Sequence, residues 1–117
     1  MKDEACLDAL DDTALDHLPF GVIRLGPTGR VERYNRTEAE RAGMQRWRVI
    51  GRDFYREVVG VEGAALAAEV AAVQIGQSVR VHHRLRRYRK TEEVTIEVAR
   101  TREGGAYLCI VADVKAS

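Results

Sequence analysis

Apolar positions recur along this chain in two rhythms, and the change from one to the other lays out its elements. Near the start, Leu7, Leu10, Ala14, Leu15 and Leu18 return at spacings near three and four, the pattern of short amphipathic helices. Pro19 ends that segment, because it restricts the residue before it and carries no amide hydrogen. Phe20 to Leu25 then reads as a strand and Gly26-Pro27-Thr28-Gly29 as a turn. Arg30 to Tyr34, alternating polar and apolar, is the returning arm of a hairpin.

Asn35-Arg36-Thr37-Glu38 has the form of a capping box, with Asn35 accepting from the amide near Glu38 and Glu38 reaching back. It predicts a short helix through about Gly43. Trp47 to Gly51 is a loop or a single turn, and Asp53 can cap another brief helix over Phe54 to Val58. Leu66, Val70 and Val73 fall at i, i+4 and i+7 among alanines, which predicts the longest helix between Glu62 and Gln74, stopped at Gly76. The remainder is strand. Val79, Val81, His83 and Leu85 alternate with Arg80, His82, Arg84 and Arg86, giving one inward and one wet, basic face. Val94, Ile96 and Val98 alternate with Thr95, Glu97 and Ala99; after a turn at Arg102 to Gly105, Ala106 to Val114 is nearly continuous apolar sequence, suited to a central strand.

The 117 residues make about one domain. No apolar run approaches a membrane span, and the acidic start is not a secretory leader. Cys6 and Cys109 cannot form a disulfide framework and show no metal-type spacing, so a reducing cytoplasm is expected. The net charge is +1, yet acids crowd residues 1–16 and Arg80, Arg84, Arg86, Arg87, Arg89 and Lys90 crowd residues 80–90. The simplest reading is an acidic N-terminal cap (1–18) lying over or near a basic sheet face of the domain at 19–115. Nucleic acid is not the expected partner, because only Tyr88 interrupts the basic run and no recognition motif accompanies it.

Certain stretches match a known family in both spacing and residue type: Leu15 to Ile23 (LDHLPFGVI), Tyr34-Asn35 followed by Glu38, Val49 to Phe54 (VIGRDF), and Tyr107 in the last strand. With this element order, the chain resembles the PAS family and, within it, the bacterial photoactive yellow proteins, over roughly residues 15–114. The resemblance implies an α+β fold: a five-stranded antiparallel sheet, one face closed by short helices, with a pocket between. It further implies that Tyr34 and Glu38 occupy the positions of the tyrosine and protonated glutamic acid that bind a 4-hydroxycinnamyl phenolate. The thiol that carries this chromophore falls near Val61, where there is no sulfur. The family's threonine and arginine near the pocket are replaced by Ala42 and Met44. No covalent p-coumaric acid is therefore expected.

Each candidate has a plainer reading beside the functional one. Glu38 can simply complete the cap, and Tyr34 can pack as a strand-end residue; alternatively they form the polar end of a pocket for a non-covalent ligand with an acceptor group. His83, aimed inward, can bind a ligand or haem iron, or be a core-edge histidine satisfied by backbone or by Glu38. Haem lacks an attachment motif and flavin lacks the pocket cysteine that photoactive relatives use. Cys109 is expected to be a small apolar core residue. No nucleophile elbow, H-E-x-x-H or P-loop suggests an enzyme, and with the chain stopping at Ser117 no effector is expected to follow.

Two functions stand. One is a ligand-free interaction module or adaptor, whose pocket is filled by side chains and which docks a protein partner or effector, or pairs as a homodimer through the N-terminal segment. The other is a sensor that binds a small molecule non-covalently in the pocket. They differ in whether an internal cavity exists. Membrane is not an expected partner, and symmetric sheet-to-sheet pairing would be opposed by the basic run unless acids such as Glu93 and Glu97 lie opposite.

Overall fold

A computed structural model describes residues 3–88 and 90–112. Two short helices, α1 (Glu4–Asp8) and α2 (Asp12–Asp16), precede the hairpin of β1 (Gly21–Leu25) and β2 (Val31–Tyr34). Helices α3 (Arg36–Ala42) and α4 (Arg46–Val49), a π-helix (Phe54–Val59), a 3-10 turn (Gly60–Glu62) and α5 (Gly63–Ala71) follow. Strands β3 (Ser78–Arg87), β4 (Lys90–Arg100) and β5 (Ala106–Ala112) complete one antiparallel sheet in the order β2-β1-β5-β4-β3. The expected α+β architecture is therefore present, although residues 113 and 114 of the predicted last strand lie outside the described residues. Two elements differ from the reading of the sequence: α5 is shorter than the Glu62 to Gln74 pattern suggested, and the brief helix after Asp53 is wound as a π-helix.

Period-two alternation assigns the faces. Ile23 and Leu25 of β1, Leu85 of β3, Val94, Ile96 and Val98 of β4, and Leu108 and Ile110 of β5 pack under Phe54, Leu66 and Val70. The opposite face is not left to water. Val22, Ala99, Tyr107 and Cys109 lie beneath Leu7 and Leu15 of the N-terminal helices, so Cys109 is buried in the core, but on the outer side of the sheet.

Asn35 joins these layers. Its Oδ1 accepts from the Val22 amide at 2.9 Å and from the Glu38 amide at 3.1 Å, while Nδ2 donates to the carbonyls of Leu15 (2.8 Å) and Phe20 (3.1 Å). The cap half of the predicted box is thus present. The reciprocal half is not: the Asn35 amide donates to the Val22 carbonyl, and the Glu38 side chain turns elsewhere.

The acidic cap does not cover the basic run. The sheet order puts β3 at the edge far from β1 and β2, and the cap lies on the β1–β5 side, so its carboxylates meet arginines of β1, β2 and α4 instead. Arg24 faces Glu4 and Asp8, Arg33 binds Asp12 at 3.0 Å, and Arg46 binds Asp16 at 2.9 Å. Arg33 also donates to the Leu7 and Leu10 carbonyls and to the Tyr107 hydroxyl, filling the orphan acceptors at the end of α1. The basic run is matched from β4 across the sheet: Arg80 with Glu97 at 2.6 Å and Arg84 with Glu93 at 3.9 Å.

Burial pushes Asp16 upward, but the Arg36 amide and the Arg46 guanidinium together outweigh it and hold its carboxyl below the ordinary aspartate value. A group with a depressed folded-state pKa contributes stability that is complete above its unfolded pKa and lost as pH falls through the folded value. The N-terminal segment should therefore loosen below about pH 4, read as faster proteolysis within residues 3–18. Asp16→Asn should show the same loosening at neutral pH; equal cleavage of the two proteins there would refute this role. Asn35→Ala should cost more than about 2 kcal/mol in urea unfolding, since a cap is lost and two buried carbonyls and an amide lose partners.

Candidate functional site

The C-terminal end of β3, the face of α3 and the π-helix border a cavity of about 210 Å³ that opens to solvent on one side. Ala42 and Met44 after α3, Phe54, Val58 and Val59 of the π-helix, and Leu85 supply its apolar wall; Tyr34, Glu38, Arg87 and Tyr88 supply its polar one. Two of the four predicted site residues, Tyr34 and Glu38, are thus brought together at one pocket. Both are buried, at 3% and 2% exposure.

Their positions follow from local chemistry. Tyr34 closes β2 with its side chain on the core face, and Asn35 then starts α3, so that Glu38 falls one turn in and points back over β1. Gly21 makes room for it: a Cβ there would stand 2.2 Å from Glu38 Oε1. The carboxylate accepts from both terminal nitrogens of Arg87, from Nη2 at 2.9 Å and from Nη1 in a closer contact. This is the bidentate fork that suits a carboxylate. Burial raises the proton affinity of Glu38 above that of an ordinary glutamate, with the Arg87 and Arg41 guanidinium groups pulling the other way. Burial likewise raises the Tyr34 phenol, reinforced by the Glu38 charge. The phenol is therefore neutral at physiological pH and able to donate a hydrogen bond.

Arg87 is the residue the sequence reading missed. The signal was present: counting by two from Val81 through His83 and Leu85 places residue 87 on the inner face, although it sits in a run of arginines that reads as solvated. Its Nε–H is buried and has no acceptor among the described residues; the Glu92 carboxylate stands 3.5 Å away without hydrogen-bond geometry.

The other two predicted residues lie elsewhere. Val61 is 97% exposed on the 3-10 turn, outside the cavity, because the π-helix turns Val58 and Val59 inward and carries the following residues to the surface. His83 does face the helical side, but its Nε2 contacts Glu69 of α5, not Glu38, and it does not line the cavity. At the cavity rim, Tyr88 adopts a φ of 45°, unusual for a residue with a side chain. Its amide donates to the Ala42 carbonyl at 3.0 Å, and its ring lies over Gly43, where a Cβ would come within 2.3 Å of it. Among the described residues no group of histidine, cysteine and carboxylate side chains is arranged to hold a metal ion, and no helix is long and apolar enough to cross a membrane.

A sheet with a helix-covered pocket and an N-terminal segment behind it defines a domain of the PAS class. The family described as the PAS fold matches residues 15–117, and the chain belongs to it. Among curated relatives, photoactive yellow protein of Rhodobacter capsulatus is 40% identical over 50 residues, which is 43% of this chain and 40% of that protein. The chain thus matches about two fifths of that relative's length. Among solved structures, the photoactive yellow protein domain of the sensor histidine kinase Ppr from Rhodospirillum centenum superposes with a TM-score of 0.71 at 21% identity, covering 92% of this chain and 97% of that one. The PAS domain of the Cronobacter turicensis quorum-sensing receptor RpfR, in complex with C12:0, does so with a TM-score of 0.70 at 17% identity, over 82% and 95%.

Removing one partner of a buried ion pair strands the other, at about 3–5 kcal/mol. Arg87→Ala should cost that much in urea unfolding, and Glu38→Leu combined with Arg87→Met should recover most of it. A loss below about 1 kcal/mol for Arg87→Ala would show that the pair behaves as a surface contact.

Proposed function

We propose that this chain is a small-molecule sensor whose ligand sits non-covalently between α3, the π-helix and the end of β3. One observation carries the reading: side chains leave a pocket open between the helices and the sheet, and one of its lining residues, Arg87, keeps a buried N–H without an acceptor among the described residues. An apolar cavity with a few convergent polar groups is the common form of a ligand site. At about 210 Å³ it is smaller than the 300–1,000 Å³ usual for drug-sized molecules, which favours a compact ligand. The RpfR structure, a PAS domain holding C12:0, supports the idea that a pocket in this fold takes a free small molecule.

A ligand shifts a conformational equilibrium only by its difference in affinity between the two states. The elements that touch the cavity are suited to such a difference. The π-helix is an irregular winding of the kind that clusters at functional sites, and the N-cap of α3 is Asn35, whose side chain reaches the carbonyls of Leu15 and Phe20. Occupancy is thereby linked to the N-terminal segment, and the output is a changed contact with a protein partner in the bacterial cytoplasm. On this reading no covalent chromophore takes part, because neither Cys6 nor Cys109 lines the pocket. A second reading, the ligand-free adaptor, draws on Trp47 and Ile50, which are 71% and 41% exposed at and just after α4.

The purified protein should show no visible absorbance, and gentle ionisation in native mass spectrometry should release a small molecule from it. Ala42→Phe, which fills the cavity from the end of α3, should abolish that added mass while leaving urea stability within about 1–3 kcal/mol of the parent. A yellow, light-bleached protein, or retention of the mass in Ala42→Phe, would overturn the reading.

A further inference from the structure

A guanidinium offers five N–H hydrogens, and in Arg87 the terminal nitrogens serve Glu38 while Nε–H has no acceptor among the described residues. Buried donors are seldom left so. The charged and titratable groups described around this point are Tyr34 from β2, Glu38 and Arg41 from α3, Arg86 and Arg87 from β3, Tyr88 just after it, and Glu92 from β4, itself 3.4 Å from Lys90. Of these, Glu92 is 30% exposed, whereas the Glu38 and Arg87 side chains are 3% and 4% exposed. Among the described residues the dry part of the site thus contains one carboxylate, one guanidinium and one neutral phenol, and a charged ligand would upset that balance.

Resting on the sensor reading, we propose that the ligand is a small organic acid whose carboxylate takes Arg87 in common with Glu38, and that its binding is accompanied by uptake of a proton at Glu38. Both Glu38 oxygens accept from Arg87, which is the pattern of an ionised carboxyl group. A second carboxylate entering the same dry site would face that charge with no further buried cation among the described residues to offset it. Two carboxylates sharing one site cannot both stay ionised without a large electrostatic cost, and a proton drawn from solvent removes it. The proton count closes: ligand carboxylate, Glu38 carboxylate and one proton become an acid–carboxylate pair, held by the five N–H groups of Arg87 and by the Tyr34 hydroxyl. The apolar body of the acid then lies against Met44, Phe54, Val58 and Leu85. A neutral amide of the same shape needs no proton and satisfies fewer of these donors.

The test is isothermal titration calorimetry of the full chain at neutral pH. Its probes are the straight-chain acids from butanoate to decanoate and benzoate, each paired with its primary amide. Runs in HEPES and in Tris, which differ in ionisation enthalpy, count the protons exchanged. At least one acid should bind about tenfold or more tightly than its amide, with about one proton taken up. Its affinity should fall about tenfold for each pH unit above neutral. Glu38→Gln should keep acid binding, at equal or greater affinity, and bring the uptake to zero. An acid and amide that bind equally, or uptake that persists in Glu38→Gln, would overturn the acid-and-proton inference and leave the pocket standing. Absence of binding by every acid and every amide would overturn both. Should Glu38→Gln fail to fold, the pH dependence of the native chain decides alone: a flat profile refutes the proposal.

Discussion

The fold turns on one buried amide. Asn35 uses both lone pairs of its oxygen and both hydrogens of its nitrogen, and the four partners lie in different layers: β1, α3, the end of α2 and the approach to the sheet. A side chain with two acceptor sites and two donors in a plane is the smallest group that can do this, and an aspartate would meet two carbonyls with no hydrogen to offer. Because the same oxygen starts α3 and pairs with β1, the helix cannot rotate about its axis without leaving a buried amide unpaired. Glu38 is thereby fixed over Gly21.

That fixed carboxylate defines the character of the site. In the photoactive yellow proteins, by the resemblance described above, the equivalent acid is protonated and serves a phenolate directly. Here a guanidinium from β3 stands against it, so the polar end of the cavity is an ion pair before any ligand enters. Buried ion pairs add little stability over a well-packed apolar alternative, because desolvation consumes most of their attraction. Their use is selective: they dictate which charges a visitor can bring.

Much of this was legible in the residues. Alternation along β3, β4 and β5 and the Tyr34-Asn35 to Glu38 spacing were enough to place the sheet, its inward face and half of the pocket's polar end. Three features were not, for separate reasons. The acids of the N-terminal helices were matched with the wrong arginines, because charge runs attract attention while Arg24 and Arg33 are single residues whose neighbours depend on strand order. The reciprocal arm of the capping box fails at Glu38, because a local partner can be seen in sequence and Arg87, 49 residues away, cannot. Val61 was carried into the pocket by alignment, and the π-helix, which no hydrophobic period announces, moved it out.

The turn between β3 and β4 has a mechanical corollary. Tyr88 keeps a left-handed backbone that a bulky residue disfavours, and what holds it there is the last turn of α3: the Ala42 carbonyl on its amide and the bare Cα of Gly43 beneath its ring. The tip of the longest hairpin is thereby pinned to the C-terminal end of α3, across the cavity. Any displacement of α3 would therefore be felt at that tip, on the sheet edge opposite the N-terminal helices.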